Sequence, residues 1–415
     1  MSTYKNLFIA IFNSCWSAII AFSLIPIYVK FLGLESYAII SLYATLNVFL
    51  QIFDFGIYPT IIRETAQSLK EDSNKKFKKT IQTFFIINIT VSFIFFLISF
   101  YFSDIIAKYW LNSSSLPLDV VSNCIFLIGI LISSRWPILI FQGILYGSNF
   151  AAYGFIINII MVTFSALGSV VLLIFYSNDI EHFFIWQIFS GILYTIIIFL
   201  FCKRKTQIKF WGEVQLKDFK NGLYLSSSLW LVTASGILFS SSDKLLLSHL
   251  LSLDKYGMYM LAVSSATILQ IIVNPFYNIF YPKFSKLYIQ NKVVEINNLY
   301  RLLIKLMCFI LLPMGLFIIT TSEILIYLWT QDSKLTSLIN PIFNFILLAS
   351  VFNGITFIPY ILQLSFAKNW IPLTLNILFT IINVPLIMFL LDYYGLLGAG
   401  IAFLIIQVLC FIINP

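Results

Sequence analysis

Apolar residues run through this chain in long blocks. A helix needs about 20 mainly apolar residues to cross the hydrocarbon core of a bilayer. Blocks of that length lie near 7–31, 37–61, 81–103, 120–145, 150–176, 182–202, 222–250, 256–281, 301–328, 338–366, 370–391 and 395–414. The pattern predicts an all-α, polytopic membrane protein of about twelve transmembrane helices. The longest blocks, 222–250 and 338–366, are expected to tilt, bend or extend past the lipid.

Polar positions inside these blocks recur at helical spacing. In the second, Tyr43, Asn47, Gln51, Asp54 and Tyr58 step by four, four, three and four, which places them on one face of a helix. Thr267, Gln270, Asn274, Tyr277 and Tyr281 do the same in the eighth, Asn353, Thr356, Tyr360 and Gln363 in the tenth, and Asn369, Asn376, Thr380 and Asn383 in the eleventh. The first block carries a small and polar face of Asn6, Ala10, Asn13, Ser17 and Ala21, and the seventh is rich in serine, including Ser226, Ser227, Ser228 and Ser235. Such stripes serve either as helix–helix glue, at roughly 0.6–2 kcal/mol per hydrogen bond, or as the wall of a hydrated cavity. Their presence on many helices favours the cavity.

Composition supports the membrane reading. The 415 residues are 60% hydrophobic and only 10% charged, against roughly 25% charged in soluble domains. The net charge of +8 raises nucleic-acid binding, but the basic residues concentrate in the connections between blocks and no nucleic-acid signature is present. With the N-terminus inside, nineteen of the 25 basic residues fall in inner segments, and only Lys30, Lys108, Lys255 and Lys334 fall outside. The positive-inside rule therefore places both termini in the cytoplasm. The inner loops 62–80, 203–221 and 282–300 have room for one surface helix each, and none is long enough for an extramembrane domain. Cys15, Cys124, Cys202, Cys308 and Cys410 are too dispersed for a metal site or disulfide framework. His182 and His249 have no catalytic spacing around them. No cofactor and no metal is implied.

The two halves match at a spacing of 219. Leu32-Gly33-Leu34-Glu35-Ser36-Tyr37-Ala38 corresponds to Leu251-Ser252-Leu253-Asp254-Lys255-Tyr256-Gly257, Gln51 to Gln270 and Tyr58 to Tyr277. At a slightly larger spacing Pro137, Gln142 and Asn149 answer to Pro359, Gln363 and Asn369. Six spans per half return the chain to the same side, so the repeat is parallel. The expected organisation is a six-helix bundle over 1–205, a cytoplasmic linker over 206–221 and a second six-helix bundle over 222–415. Transporters often use repeats of this kind, with the substrate site between them.

Four charges lie within blocks: Asp54, Arg135, Asp243 and Lys244. A charge at mid-bilayer costs at least roughly 2.5–3.5 kcal/mol and needs a cavity or a partner. Adjacent Asp243 and Lys244 are expected on different faces of their helix, with Lys244 snorkelling outward. Asp54 and Arg135 both count to the inner half, so an Asp54–Arg135 ion pair and a substrate role stand as alternatives.

The stretch from Asn13 to Arg63, with Pro26, Leu32-Gly33, Tyr37, Asp54-Phe55-Gly56 and Arg63, resembles the opening of Wzx-type polysaccharide flippases. These belong to the multidrug/oligosaccharidyl-lipid/polysaccharide (MOP) exporter superfamily. Asp243-Lys244 followed by Leu253 and Tyr256-Gly257 is similar to the matching segment of the second half. The resemblance implies a MATE-like fold in the bacterial inner membrane and no enzymatic activity. It implies transfer of undecaprenyl-pyrophosphate-linked oligosaccharide, an O-antigen or capsule repeat unit, from the cytoplasmic to the periplasmic leaflet by alternating access. Coupling to protons or sodium follows from it, as do a polysaccharide polymerase and a chain-length regulator as partners. Arg135 and Lys244 are the candidates for the pyrophosphate or an acidic sugar. Asn47, Gln51, Gln270 and Asn274 are candidates for sugar contacts, with Asp54 and Asp243 completing the polar set. The rivals are a drug/cation antiporter of the same superfamily, which Asp54 and Asp243 suit, and a membrane polysaccharide polymerase or ligase, which the short outer loops disfavour.

Overall fold

The computed structural model describes the backbone of residues 3–68, 74–148, 150–206, 210 and 216–413, and their side chains except at 3–7, 67–68, 74–78, 216–229 and 278. It contains fifteen α-helices: α1 Thr3–Leu32, α2 Leu34–Phe49, α3 Ile57–Ser68, α4 Asn74–Tyr109, α5 Leu118–Arg135, α6 Ile138–Gly147, α7 Ala151–Phe175, α8 Ile180–Thr206, α9 Leu216–Leu250, α10 Leu253–Ala266, α11 Ile268–Ile289, α12 Val293–Thr330, α13 Ser333–Ser365, α14 Trp370–Tyr394 and α15 Leu396–Ile413. Helix is the expected solution, because lipid offers no partner for an unpaired backbone N–H or C=O. The chain is an all-α, multi-pass membrane protein.

Among the described residues, ten segments are long and apolar enough to cross a membrane, and the pair α10–α11, bent by 49°, makes an eleventh. The block at 222–250 falls in α9, which is not among them. Its side chains from 216 to 229, Ser226 to Ser228 included, lie outside the described residues, as do Asn6 and Asn149.

Three blocks that read as continuous are broken, the eighth at Thr267 between α10 and α11. The second stops as α-helix at Phe49, tightens into a 3₁₀ turn over Leu50–Asp54 and passes through the left-handed region at Phe55 (φ 49°) and Gly56 (φ 74°) before α3 begins. Tyr43 and Tyr58 are therefore on different helices, and the stripe from Tyr43 to Tyr58 is not one face. The 3.6-residue period continues across the break because a short 3₁₀ turn shifts the phase little. The fourth block breaks at Trp136–Pro137, so that Arg135 is the last residue of α5. Proline cannot continue the helical hydrogen bonds, yet Pro359 sits inside an unbroken α13.

The chain divides into two compact units, 1–230 and 231–415, with the boundary inside α9. The linker expected at 206–221 lies mostly outside the described residues. In unit 1, α5 packs between α4 and α8, α7 between α1 and α8, and α3 against α6. Ile61, Phe84, Phe141, Ile144 and Ile198 form its apolar core. In unit 2, α13 is central and touches α10, α11, α12 and α15. In each unit polar side chains tie an early helix to a later one, α1 to α7 and α9 to α14. In unit 1 Asn158 Nδ2 donates to Asn13 Oδ1 (2.8 Å) and Trp16 Nε1 to Thr163 (2.8 Å). In unit 2 Asn376 Nδ2 donates to Ser235 (3.2 Å) and Asn383 Nδ2 to Ser242 (3.1 Å). Without a hydrophobic force between helices in lipid, such bonds and close packing hold the bundle together.

One of the tight helix approaches is at Gly129 of α5, where any Cβ would overlap the Ser99 side chain of α4. Gly129→Ala is expected to destabilise the protein by about 1–3 kcal/mol through overpacking. Adding Ser99→Gly should restore most of the loss, read as thermal unfolding in detergent.

Candidate functional site

Arg135 is the one cation that the last turn of α5 delivers into the interior of unit 1, and its partners are all neutral. Nη1 donates to the Tyr43 hydroxyl (3.1 Å), and Nη2 to Gln187 Oε1 (2.8 Å) and the Gln187 carbonyl (3.3 Å), with the Ser165 and Ser190 hydroxyls at 3.4 Å. Ser165 in turn donates to Gln187 Oε1 (2.7 Å), which orients the amide oxygen toward the guanidinium. Gly191 lies against the Arg135 stem, where a Cβ would stand 3.0 Å from Nε, and Nε has no hydrogen-bond partner. Arginine has five N–H donors. One on Nη1 and the one on Nε are not used by any of the described residues. Among those residues no carboxylate pairs with this half-buried cation, so its attraction for an anion is not cancelled there. The Asp54–Arg135 ion pair, one of the two alternatives, is not formed: each residue has other partners.

Asp54 serves as the cap that restarts the broken second span. Its Oδ2 accepts from the Tyr58 N–H at 3.1 Å, one of the donors a helix start leaves unpaired. Its Oδ1 is buried with no hydrogen-bond partner. Asp54→Ala is expected to cost about 1 kcal/mol, and Asp54→Asn much less, as for other caps; thermal unfolding of the purified variants checks this.

Asp243 and Lys244 do meet, contrary to the expectation that neighbours on a helix face apart. Lys244 Nζ reaches Asp243 Oδ1 at 3.1 Å and Oδ2 at 3.3 Å, and donates to the Ser240 carbonyl at 2.6 Å. The four-carbon lysine stem is long enough to fold back around the helix. The i,i+1 rule holds for short side chains whose direction is set by Cβ. Asp243, 3% exposed, also accepts from the Tyr259 hydroxyl at 2.6 Å. Lys244 is thus neutralised where Arg135 is not.

The neutral candidates separate as well. Gln270 Nε2 donates to Asn353 Oδ1 (2.9 Å), and Asn353 Nδ2 to Gln407 Oε1 (3.1 Å), a chain of amides joining α11, α13 and α15. Asn47 is half-buried and Gln51 and Asn274 are exposed, and the structure gives these three no hydrogen-bond partner among the described residues. Unit 1 has its own relay. Gln142 Nε2 donates to the Tyr194 hydroxyl (2.8 Å), which donates to Asn158 Oδ1 (3.0 Å).

Two features escape a reading of the blocks alone. Gln187, Ser190 and Tyr194 of α8 step by three and four, and Asn158, Ser165 and Ser169 of α7 by seven and four. Both sets form stripes; Gln187, Ser190, Tyr194, Asn158 and Ser165 belong to the polar network around Arg135 and Asn158, while Ser169 bonds the Tyr28 hydroxyl of α1 instead (2.9 Å). The other feature is Glu35, 3% exposed at the start of α2. Its Oε1 accepts from the N–H of Ser114 (2.9 Å) and Ser115 (2.9 Å) and from the Ser114 hydroxyl, and its Oε2 from the N–H of Leu116 (2.9 Å). One carboxylate thus gathers the loop that leads into α5.

The sequence matches a family model described as polysaccharide biosynthesis protein over residues 3–288. No curated protein matches the chain. Among solved structures, an inward-facing multidrug resistance MATE family transporter of the MOP superfamily superposes with a TM-score of 0.78 at 14% identity, covering 96% of this chain and 92% of that one. The lipid II flippase MurJ, in an inward closed conformation, superposes at 0.74 with 16% identity, covering 99% and 86%. At these identities the likeness establishes the fold, which is that of MOP-superfamily transporters.

Proposed function

This chain belongs to the polysaccharide biosynthesis protein family, and on that premise we propose that it is a flippase for undecaprenyl-pyrophosphate-linked oligosaccharide repeat units. The fold is one that transporters use, and the proposed activity is transport rather than enzymatic turnover. In the proposed reaction an O-antigen or capsule unit passes from the cytoplasmic to the periplasmic leaflet of a bacterial inner membrane by alternating access, driven by a proton or sodium gradient. The product is handed to a polysaccharide polymerase and its chain-length regulator.

The observation that carries this reading is Arg135. A pyrophosphate and its sugars cannot cross hydrocarbon unaided, since charges and hydroxyls would lose their water. A cation without a counter-carboxylate compensates an anionic head, and arginine suits phosphate oxygens through its planar fork of donors. Tyr43 and Gln187 preset the guanidinium plane. Asn47 and Gln51, with open hydrogen-bonding capacity on the adjoining second span, are placed by the proposal on the sugars, as are Gln270 and Asn274 in unit 2. Lys244 can hold an anion only by leaving Asp243.

A second reading, drug/cation antiport, draws on Asp54, whose buried Oδ1 is unpaired. The two separate in cells. Deletion of the gene is expected to deplete surface polysaccharide and trap lipid-linked units in the cytoplasmic leaflet, with drug susceptibility unchanged. Drug sensitisation with normal surface polysaccharide, reversed by the wild type but not by Asp54→Asn, would establish the antiporter instead.

A further inference from the structure

Unit 2 contains a cavity of about 220 Å³ that none of the interior charges touches. It opens among α9, α11, α13, α14 and α15, and its lining includes four amides, Gln270, Asn353, Asn376 and Gln407, beside the Phe357 and Tyr360 rings. Among the described residues, no Asp, Glu, Lys, Arg or His lines it.

The amides are only partly used. Gln270, Asn353 and Gln407 form a single donor-to-acceptor chain, and Asn376 gives one N–H to Ser235. Gln407 Nε2, Gln270 Oε1, Asn376 Oδ1 and the Tyr360 hydroxyl have no partner given among the described residues. Each amide can make up to four hydrogen bonds, so the wall offers spare donors and spare acceptors together. A ligand bearing either charge finds no opposite charge here and loses its hydration. An apolar ligand leaves the amides unpaired at a similar cost. What matches is an uncharged molecule dense in hydroxyls, each at once donor and acceptor. The two rings, 6.1 Å apart between centroids and 20° from parallel, give its apolar face a surface. The volume is below the roughly 300–1,000 Å³ of pockets for drug-sized ligands. It holds one ring, not a chain.

We propose that the unit 2 cavity is a binding site for a single uncharged sugar ring. As a step in export, it takes one neutral residue of the oligosaccharide while the anionic head is held elsewhere; that role rests on the flippase reading, whereas the binding itself does not.

The test uses the purified full-length protein in lipid nanodiscs and saturation-transfer NMR with free sugars. Glucose and galactose are expected to bind saturably with Kd on the order of 1 mM, as suits a ligand of this size. Glucuronate and protonated glucosamine should bind about tenfold more weakly or not at all. Gly236 lines the same cavity, and a Cβ there meets only Asn376 Nδ2, at 3.5 Å. Gly236→Leu should therefore fold, fill the space and remove binding, while Gly236→Ala leaves it nearly intact. Gln407→Leu should weaken it about tenfold through the lost amide. The proposal is overturned if the wild type binds no neutral sugar and the cavity holds water only, if charged sugars bind equally well, or if Gly236→Leu binds like the wild type. Loss of the sugar signal with export still dependent on Arg135 would sink this site and leave the flippase standing. Sugar binding with no transfer of lipid-linked units would do the reverse.

Discussion

Arg135→Gln is expected to reduce export of surface polysaccharide by roughly 30-fold or more at equal protein level, because losing one partner of a desolvated charged contact costs about 2–5 kcal/mol. Glutamine keeps hydrogen-bonding capacity near Tyr43 and Gln187 and removes only the charge and the fork. Arg135→Lys keeps the charge but not the geometry. One ammonium cannot span the Tyr43 hydroxyl and the Gln187 amide oxygen in the plane a guanidinium offers, so partial activity is expected. Stability gives the discriminating sign. A half-buried charge with only neutral partners is a cost to the fold, so Arg135→Gln should leave the unfolding temperature unchanged or raise it. Activity lost with stability kept marks a binding residue, and a parallel fall of both marks a structural one.

Glu35→Ala is expected to be the most destabilising single change in unit 1. It removes the shared acceptor of three backbone N–H groups, on Ser114, Ser115 and Leu116, and of the Ser114 hydroxyl. Hydrogen bonds to a charged acceptor are worth about 1.5–3 kcal/mol each, and unpaired donors carry their own cost, so a loss of at least about 3 kcal/mol follows. Glu35→Gln is only a partial substitute, since its amide N–H₂ would face a backbone N–H that also donates. The measurements are thermal unfolding in detergent and limited proteolysis of 110–117, which should be cut in the alanine variant and protected in the wild type. At the 219 spacing the corresponding residue is Asp254, also in the first turn of its helix, where a negative side chain is favoured by the helix dipole.

How legible these features are depends on what carries them. Hydrophobic blocks give the helices because a membrane span is set by length and polarity alone. The break at Phe55–Gly56 stays hidden, since the polar residues keep helical spacing through the 3₁₀ turn and only two positive φ angles reveal it. Arg135 stands out as a charge in an apolar block, but its partners do not. Tyr43 comes from the second span, and Gln187 from a helix whose stripe is short and mixed with aromatic residues. Asp243 and Lys244 mislead in the opposite way, because helical geometry predicts where Cβ points and not where a flexible lysine ends. Glu35 sits within a repeat motif that suggests ancestry, while its role depends on a loop 79–81 residues away.

The most direct measurement is lipid transfer in proteoliposomes loaded with a polyprenyl-pyrophosphate oligosaccharide and an imposed proton or sodium gradient, followed by a membrane-impermeant lectin. Wild-type protein should move the sugar to the lectin-accessible leaflet, and Arg135→Gln, inserted at equal density, should not. Transfer at the same rate by both proteins, or none by the wild type under either gradient, would contradict the account.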